Sequence, residues 1–394
     1  MTLRQRFLQH VAQTSEAPLA IETSHASGVY IHTKEGKKLL DLISGISVSS
    51  LGHSHPDIVK AVQEQAEKYM HLMVYGEFVE KPQVELAESL CALLPPKLNS
   101  VYFTNSGTEA TEGALKLAKR KTGRSEIIYF QNSYHGSTAG ALSVLGDEYF
   151  KSNYRPLIPG AKMLRYNDWS DLNKISNQTA AVIIEPVQAE SGITVPDKGY
   201  LKAIQDQCNE HGALMILDEI QTGMGRTGSM FRLETEQIEP DVLLLAKAFG
   251  GGMPLGAFIS SKENMAVFQD QPFLGHITTF GGHPVSCAAA LASLRLLQKN
   301  TWISEVEEKG ALFEELLKHA KIEKISRAGL MMSLRFDSFE TNKKIIDQCI
   351  VNGAITDWFL FNNYSMRIAP PLIISHEEIK LACTIILKSI DEVV

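Results

Sequence analysis

DVLLLAKAFGGG, Asp241 to Gly252, is a short apolar run that ends on Lys247 and three glycines. A run of this length between turn signals predicts a buried strand. Working outward from it, runs of the same kind recur: SVYFTN (100–105), EIIYFQ (126–131), AAVIIEP (180–186), ALMILDE (213–219) and GAFISS (256–261). Helical spacing separates them, over Thr108 to Lys121 and in YLKAIQDQCNEHG (200–212). Strand and helix in alternation predict an α/β fold whose mostly parallel sheet is covered by helices on both faces. Ligands of such sheets bind beyond the carboxyl ends of the strands. These runs deliver Asn105, Glu185, Asp218 and Lys247 there.

On either side the pattern changes. Residues 1–50 form a mixed N-terminal segment (GVYIHT, an EGKK turn, KLLDLIS) expected to join a small domain; 51–290 form the large domain, opening on helices near Pro56 and Pro82. Residues 291–394 are mainly helical around a strand GLMMSLRF, a smaller α+β domain. The 394 residues are 44% hydrophobic and 21% charged, enough for a sizeable core. A formal net charge of -7 speaks against nucleic acid, which is held by a surplus of Lys and Arg, so small molecules are the expected partners. Five cysteines without a CxxC pair read as reduced, mostly buried thiols. No secretory apolar region opens the chain, and no window reaches the ~18 apolar residues of a membrane span. A cytoplasmic protein without membrane contact is expected. His53 and His55 have no third ligand in view and precede a helix start at Pro56, so they read as structural and no metal is expected.

Three features at the strand ends bear chemistry. Lys247 alone fits a lysine reaching for solvent or a carboxylate. In apolar surroundings, however, its amine loses its proton more readily and becomes a nucleophile toward a carbonyl. Asp218, in ALMILDE, fits the metal side of a nucleotide site, but no GxxxxGK[ST] accompanies it; its other use is to keep a pyridine nitrogen protonated. Ser106, Gly107 and Thr108 start a helix with the apolar stripe Ala110, Ala114, Leu117 and Ala118. They make either a plain cap or an anion cradle of free amides and hydroxyls. Taken together, an amine, a carboxylate and a cradle are what the aldehyde, ring nitrogen and phosphate of pyridoxal 5'-phosphate require. Tyr134 is placed to lie on one face of the ring and Ile220 to cover the other.

With these residues the chain resembles the class-III pyridoxal-phosphate aminotransferases, which include acetylornithine and ornithine aminotransferases and omega-amino acid transaminases. The likeness runs over almost the whole chain, through GISVSSLGHSHP, FTNSGTEATEGALKLAKR, NSYHGSTAGALS, AAVIIEPVQAESG, LMILDEIQTGMGRTG, LLLAKAFGGGMPLGAF, TTFGGHPVSCAAALA and MRIAPPLII. The resemblance implies the fold-type-I architecture, with Lys247 as the Schiff-base lysine and Asp218 as the partner of the ring nitrogen. It also implies Gln221 at the ring hydroxyl, Tyr134 stacked on the ring, Glu185 in the cofactor pocket, and Ser106, Gly107 and Thr108 as the phosphate loop. Thr279 resembles a threonine that reaches the phosphate of the neighbouring subunit, which implies a homodimer with shared sites. Arg367 resembles the arginine that takes a substrate carboxylate, and Glu190 the acid that holds it aside.

Two departures concern the substrate. Acetylornithine and ornithine enzymes usually carry HGRT where this chain has His135-Gly136-Ser137-Thr138, so Ser137 replaces a carboxylate-binding arginine and the motif is closer to transaminases that use pyruvate. Ile46 stands where ornithine aminotransferases have a substrate-contacting tyrosine, which favours the acetylornithine side. The expected activity is transfer of an amino group from an omega-amino acid or amine, acetylornithine- or ornithine-like, to 2-oxoglutarate or pyruvate. An aminomutase or racemase on the same cofactor, and an inactive binding protein on the same fold, are the rival readings.

Overall fold

In the computed structural model, which describes residues 1–393, a helix Leu3–His10 leads into three antiparallel strands, β1 (Thr23–Ser27), β2 (Tyr30–Thr33) and β3 (Lys38–Asp41). The EGKK segment turns β2 into β3. Next come the helices Pro56–Lys68 and Lys81–Cys91, each with proline in its first turn, where the missing N–H costs nothing.

The central sheet follows: β4 (Ser100–Thr104), β5 (Glu126–Phe130), β6 (Ala161–Leu164), β7 (Thr179–Ile184), β8 (Leu214–Asp218), β9 (Val242–Leu245) and β10 (Gly256–Ser260). Its order is β4-β10-β9-β8-β7-β5-β6. All neighbours are parallel except β10, which runs antiparallel to both β9 and β4. The connection from β9 to β10 is too short for the helical crossover that a parallel strand needs, so the chain turns straight back. β7 is buried at all six positions and β9 at all four, which accounts for their unbroken apolar sequences.

Helix Gly107–Thr122 covers this sheet with the expected stripe, Ala110, Ala114, Leu117 and Ala118, each fully buried. Gly113 lets it come close, because a Cβ there would lie 2.3 Å from the Phe258 ring of β10. The helix ends on Gly123 at φ +68°, a left-handed cap, behind Lys119, Arg120 and Lys121, whose charges suit the carboxyl end of the helix dipole.

After helix Pro284–Lys299 the chain builds a second region from β11 (Lys324–Ala328), β12 (Met331–Arg335), β13 (Ala354–Ile355), β14 (Asp357–Phe359) and β15 (Asn362–Ile368). β11, β12, β15 and β14 form an antiparallel sheet backed by helix Phe339–Asn352, on which helix His376–Val393 packs in turn. β13 instead pairs in parallel with β3, Ala354 opposite Leu40, so the two ends of the chain share one sheet. All five cysteines are free; four are buried and Cys91 is half-buried. His53 bonds Asp41 at 2.8 Å, and the His55 ring accepts from Asp57 N–H at the start of its helix. No helix among the described residues is long and apolar enough to cross a membrane.

Candidate active site

The carboxyl ends of the central strands open on a cleft of about 410 Å³. Its walls bring together Asn105, Ser106, Gly107, Thr108, Tyr134, Ser137, Glu185, Asp218, Ile220, Gln221 and Lys247, which the sequence scatters over more than 140 positions. Lys247 leaves β9 at φ +50°, a left-handed conformation that is costly for a side chain with a Cβ and that clusters at functional sites. Burial lowers its pKa below the ordinary 10.5 despite the opposing pull of Asp218, Glu190 and Glu185, and Arg367 adds to the lowering. The amine therefore gives up its proton more readily than a surface lysine. Of the glycines beyond it, Gly252 lines the cleft, while Gly251 serves packing. A Cβ on Gly251 would lie 2.7 Å from the Ala289 carbonyl, so this glycine lets the strand exit pack on helix Pro284–Lys299.

Asp218 is buried and held by two groups. His135 Nδ1 lies 2.6 Å from Oδ2, and Ile220 N–H donates to Oδ1 at 3.0 Å. With a carboxylate as acceptor, the imidazole carries its proton on Nδ1, leaving Nε2 as a buried acceptor with no partner among the described residues. Glu185 accepts from Tyr134 N–H at 2.9 Å and from Ala189 N–H at 3.1 Å. Burial pushes it up to about 7, with the Asp218 charge adding to the rise and His135 opposing it.

At the other end, Ser106 caps helix Gly107–Thr122, its hydroxyl accepting from Glu109 N–H. Gly107 and Gly136 close the cradle. A Cβ on the first would lie 2.8 Å from Ile220 Cδ1, and on the second 2.3 Å from Thr108 Oγ1. Glu112 organises this corner: its carboxylate accepts from Thr138 Oγ1 at 2.6 Å and from Gly140 N–H at 2.8 Å. The Thr108 and Thr138 hydroxyls are 2.7 Å apart. An ionised Glu112 only accepts, so Thr138 spends its one hydrogen on it and in turn accepts from Thr108.

Beside the cleft, Arg367 is buried and forked onto Glu190, each nitrogen of the pair 2.9 Å from an oxygen. Its Nε donates to Asp357, also at 2.9 Å, and the guanidinium stacks over Phe359 at 4.5 Å. Burial works against this charge, but Glu190 and Asp357 outweigh it and hold the pKa above the ordinary value. Gln221 links the pair to the cleft by donating to Glu190 Oε1 at 3.1 Å.

Besides Arg367 and Glu190, which stand next to the cleft without lining it, Thr279 and Ile46 also fall outside the lining. Thr279 is exposed, in an irregular stretch whose Thr278 accepts from Asn105 Nδ2 at 2.9 Å. Ile46 belongs to a run of four left-handed residues, Ser44 to Ser47, and it is Val48 that reaches the lining. Sequence reasoning passed over His135, Glu112, Thr138 and Asp357. The first three are single polar residues whose partners lie 26 to 83 positions away. Asp357 was within reach, because it sits opposite Arg367 in a hairpin whose two strands are short and close in sequence.

This donor set suits pyridoxal 5'-phosphate: a helix start narrowed by glycines for an anion, a buried carboxylate for a cationic ring nitrogen, and an amine of lowered pKa for an aldehyde. Comparison with known proteins agrees. The family model Aminotransferase class-III matches residues 11–390. Acetylornithine aminotransferase of Methanopyrus kandleri is 37% identical over 376 residues, 95% of this chain and 94% of its own. That of Clostridium acetobutylicum is 39% identical, with 92% and 94% covered. Among solved structures, an ornithine aminotransferase from Toxoplasma gondii superposes with a TM-score of 0.92 at 30% identity, covering 100% of this chain and 96% of that one. An amine transaminase from an uncultivated Pseudomonas species, in its PLP-bound form, gives 0.90 at 26% identity, with 98% of each chain covered. The chain belongs to the class-III aminotransferases and is a pyridoxal 5'-phosphate-dependent transaminase.

Proposed function

We propose that this transaminase takes the amino group of an omega-amino acid or amine of the acetylornithine and ornithine kind and passes it to a 2-oxo acid. Arg367 receives the acid's carboxylate. The observation that carries this reading is the buried fork between Arg367 and Glu190, tied by Gln221 to the cleft that holds Lys247. A guanidinium already desolvated and oriented by one carboxylate is ready to accept another in its place. When an amine without a carboxylate binds instead, Glu190 keeps the buried charge neutralised. Lys247 is the only lysine or arginine among the described residues of the lining, and Ser137 adds no second cation. Pyruvate, with one carboxylate, therefore suits this cleft better than 2-oxoglutarate.

Pyridoxal 5'-phosphate, when bound, supplies an aldehyde for the substrate nitrogen and a ring that draws electrons from the substrate carbon. The rest is the work of the chain. Ser106, Gly107 and Thr108 would hold the phosphate, and Tyr134, Ile220 and Gln221 would hold the ring. Asp218, fixed by His135, would keep the ring nitrogen protonated. Lys247 would hold the aldehyde, and its Nζ, buried with a lowered pKa, is the group that would carry the proton at the substrate carbon. The test is a screen of amines and omega-amino acids against pyruvate and 2-oxoglutarate, followed by the cofactor's absorbance. The expected outcome is turnover with acetylornithine- or ornithine-like donors, with pyruvate at least equal to 2-oxoglutarate. Isomerisation of an amino acid with no oxo acid consumed would replace this reading by that of an aminomutase.

A further inference from the structure

Arg226 is fully buried and has no carboxylate within salt-bridge distance among the described residues. An unpaired guanidinium in a protein interior is costly, and the hydrogen bonds of its two Nη groups offset part of that cost, while Nε has no partner among the described residues. Its Nη1 donates to the carbonyls of Pro370 and Leu330, and Nη2 donates to Ser50 Oγ at 3.1 Å. Its own carbonyl accepts from Leu330 N–H at 3.1 Å.

These acceptors come from three separate parts of the molecule. Arg226 lies midway along the loop that follows Asp218 and carries Ile220 and Gln221 into the cleft. Ser50 lies two residues beyond Val48 of the cleft wall, and its carbonyl accepts from Leu372 N–H at 2.7 Å. Pro370 lies three residues beyond Arg367, just past the end of β15. Leu330 sits in the turn from β11 to β12, packed so tightly on the Arg226 loop that a Cβ on Gly329 would lie 2.8 Å from Thr227. One planar fork thus reaches the strand that carries Arg367, the neighbouring turn of its sheet and the wall of the cofactor cleft. A lysine, with its donors on a single atom, cannot span that spread.

We propose that Arg226 is a positioning residue that fixes how far Arg367 stands from the cofactor cleft, and so sets the reach of the carboxylic substrates. The proposal rests on Arg367 being the carboxylate site. Without the fork the end of β15 loses its tether to the cofactor loop. Arg367 then drifts relative to the cleft, while Lys247 and Asp218 keep their own supports. Misplacement of a positioning group by as little as an ångström is enough to cost about a hundredfold in rate.

The two half-reactions separate the possibilities. The holoenzyme and its R226M, R226K, S50A and R367A variants are each followed by cofactor absorbance. One half-reaction uses benzylamine, which has no carboxylate; the other uses pyruvate. Melting temperature is recorded for each variant. The expected result for R226M is a pyruvate KM raised about tenfold or more, at little change in kcat, with the benzylamine half-reaction within about threefold of wild type. R226K, which keeps the charge and part of the donor set, should fall between the two, and S50A should shift in the same sense but less. Should R226M fail to fold, R226K and S50A carry the same comparison. Equal losses in both half-reactions, or an unchanged pyruvate KM in all three variants while R367A raises it, would overturn the proposal. An unchanged pyruvate KM in R367A would instead remove the carboxylate site itself, and the role of Arg226 with it.

Discussion

Lys247 shows how far a single side chain can be argued from its surroundings. An ammonium at the end of a wholly apolar strand loses hydration that the nearby carboxylates only partly replace, so its pKa falls. The nucleophile is the neutral amine, and lowering the pKa enlarges that fraction at any pH below it. Attachment of pyridoxal 5'-phosphate to the cofactor-free protein should therefore speed up with rising pH and level off below 10.5, the ordinary value for lysine. A profile still climbing through that value would mean the amine is effectively solvated. Lys247→Ala removes both the attachment point and the proton carrier. Turnover should fall by at least about 10³-fold, while the protein still binds the cofactor without a covalent link and borohydride fixes no adduct.

Helix Gly107–Thr122 does one job with a face and another with its amino end. Its alanine stripe seats it on the sheet, and that seating aims its amino end at the cleft. Most of this was legible in FTNSGTEATEGALKLAKR, because cap and stripe lie on one short segment. Glu112 was not, since it faces neither sheet nor solvent but Thr138 and Gly140 of a separate segment. The same division runs through the molecule. Strands ending on polar residues announced Asp218 and Lys247, whereas His135 and Arg226 act on groups that only the folded chain brings near. The antiparallel turn of β10 also escaped a reading based on alternation, because an apolar run does not encode its direction. Glu112→Ala should release Thr138 and loosen Thr108. Affinity for pyridoxal 5'-phosphate should then drop about tenfold, while affinity for pyridoxal, which lacks the phosphate, stays nearly constant. An equal drop for both ligands would assign Glu112 a general structural role.

At the scale of the whole molecule, one surface stands apart. Met70, Leu72, Met73, Phe78 and Val79 are exposed, as are Phe273, Leu274, Ile277 and Phe280. The two stretches meet, with His71 and Phe280 rings 4.7 Å apart, and Tyr75 and Gly76 of the first with Phe273, Leu274 and Ile277 of the second line a groove of about 580 Å³. Apolar side chains gathered in this way mark an interaction surface. Thr279 lies within the second stretch, exposed and outside its own cleft. A second copy of the chain covering this surface would account for both facts, burying the apolar groups and carrying Thr279 toward the partner's phosphate cradle. A symmetric pair with shared sites makes a count possible. Lys247→Ala spoils the site of its own chain, and Thr279→Glu, which places a negative charge against the phosphate, spoils the site of the other. In a mixed dimer both defects fall on one site and the second is intact. Random exchange of equal amounts gives half mixed dimers, so about a quarter of wild-type activity should return. If the mixture stays as inactive as its components after verified subunit exchange, Thr279 serves its own chain or none, and the sites are not shared.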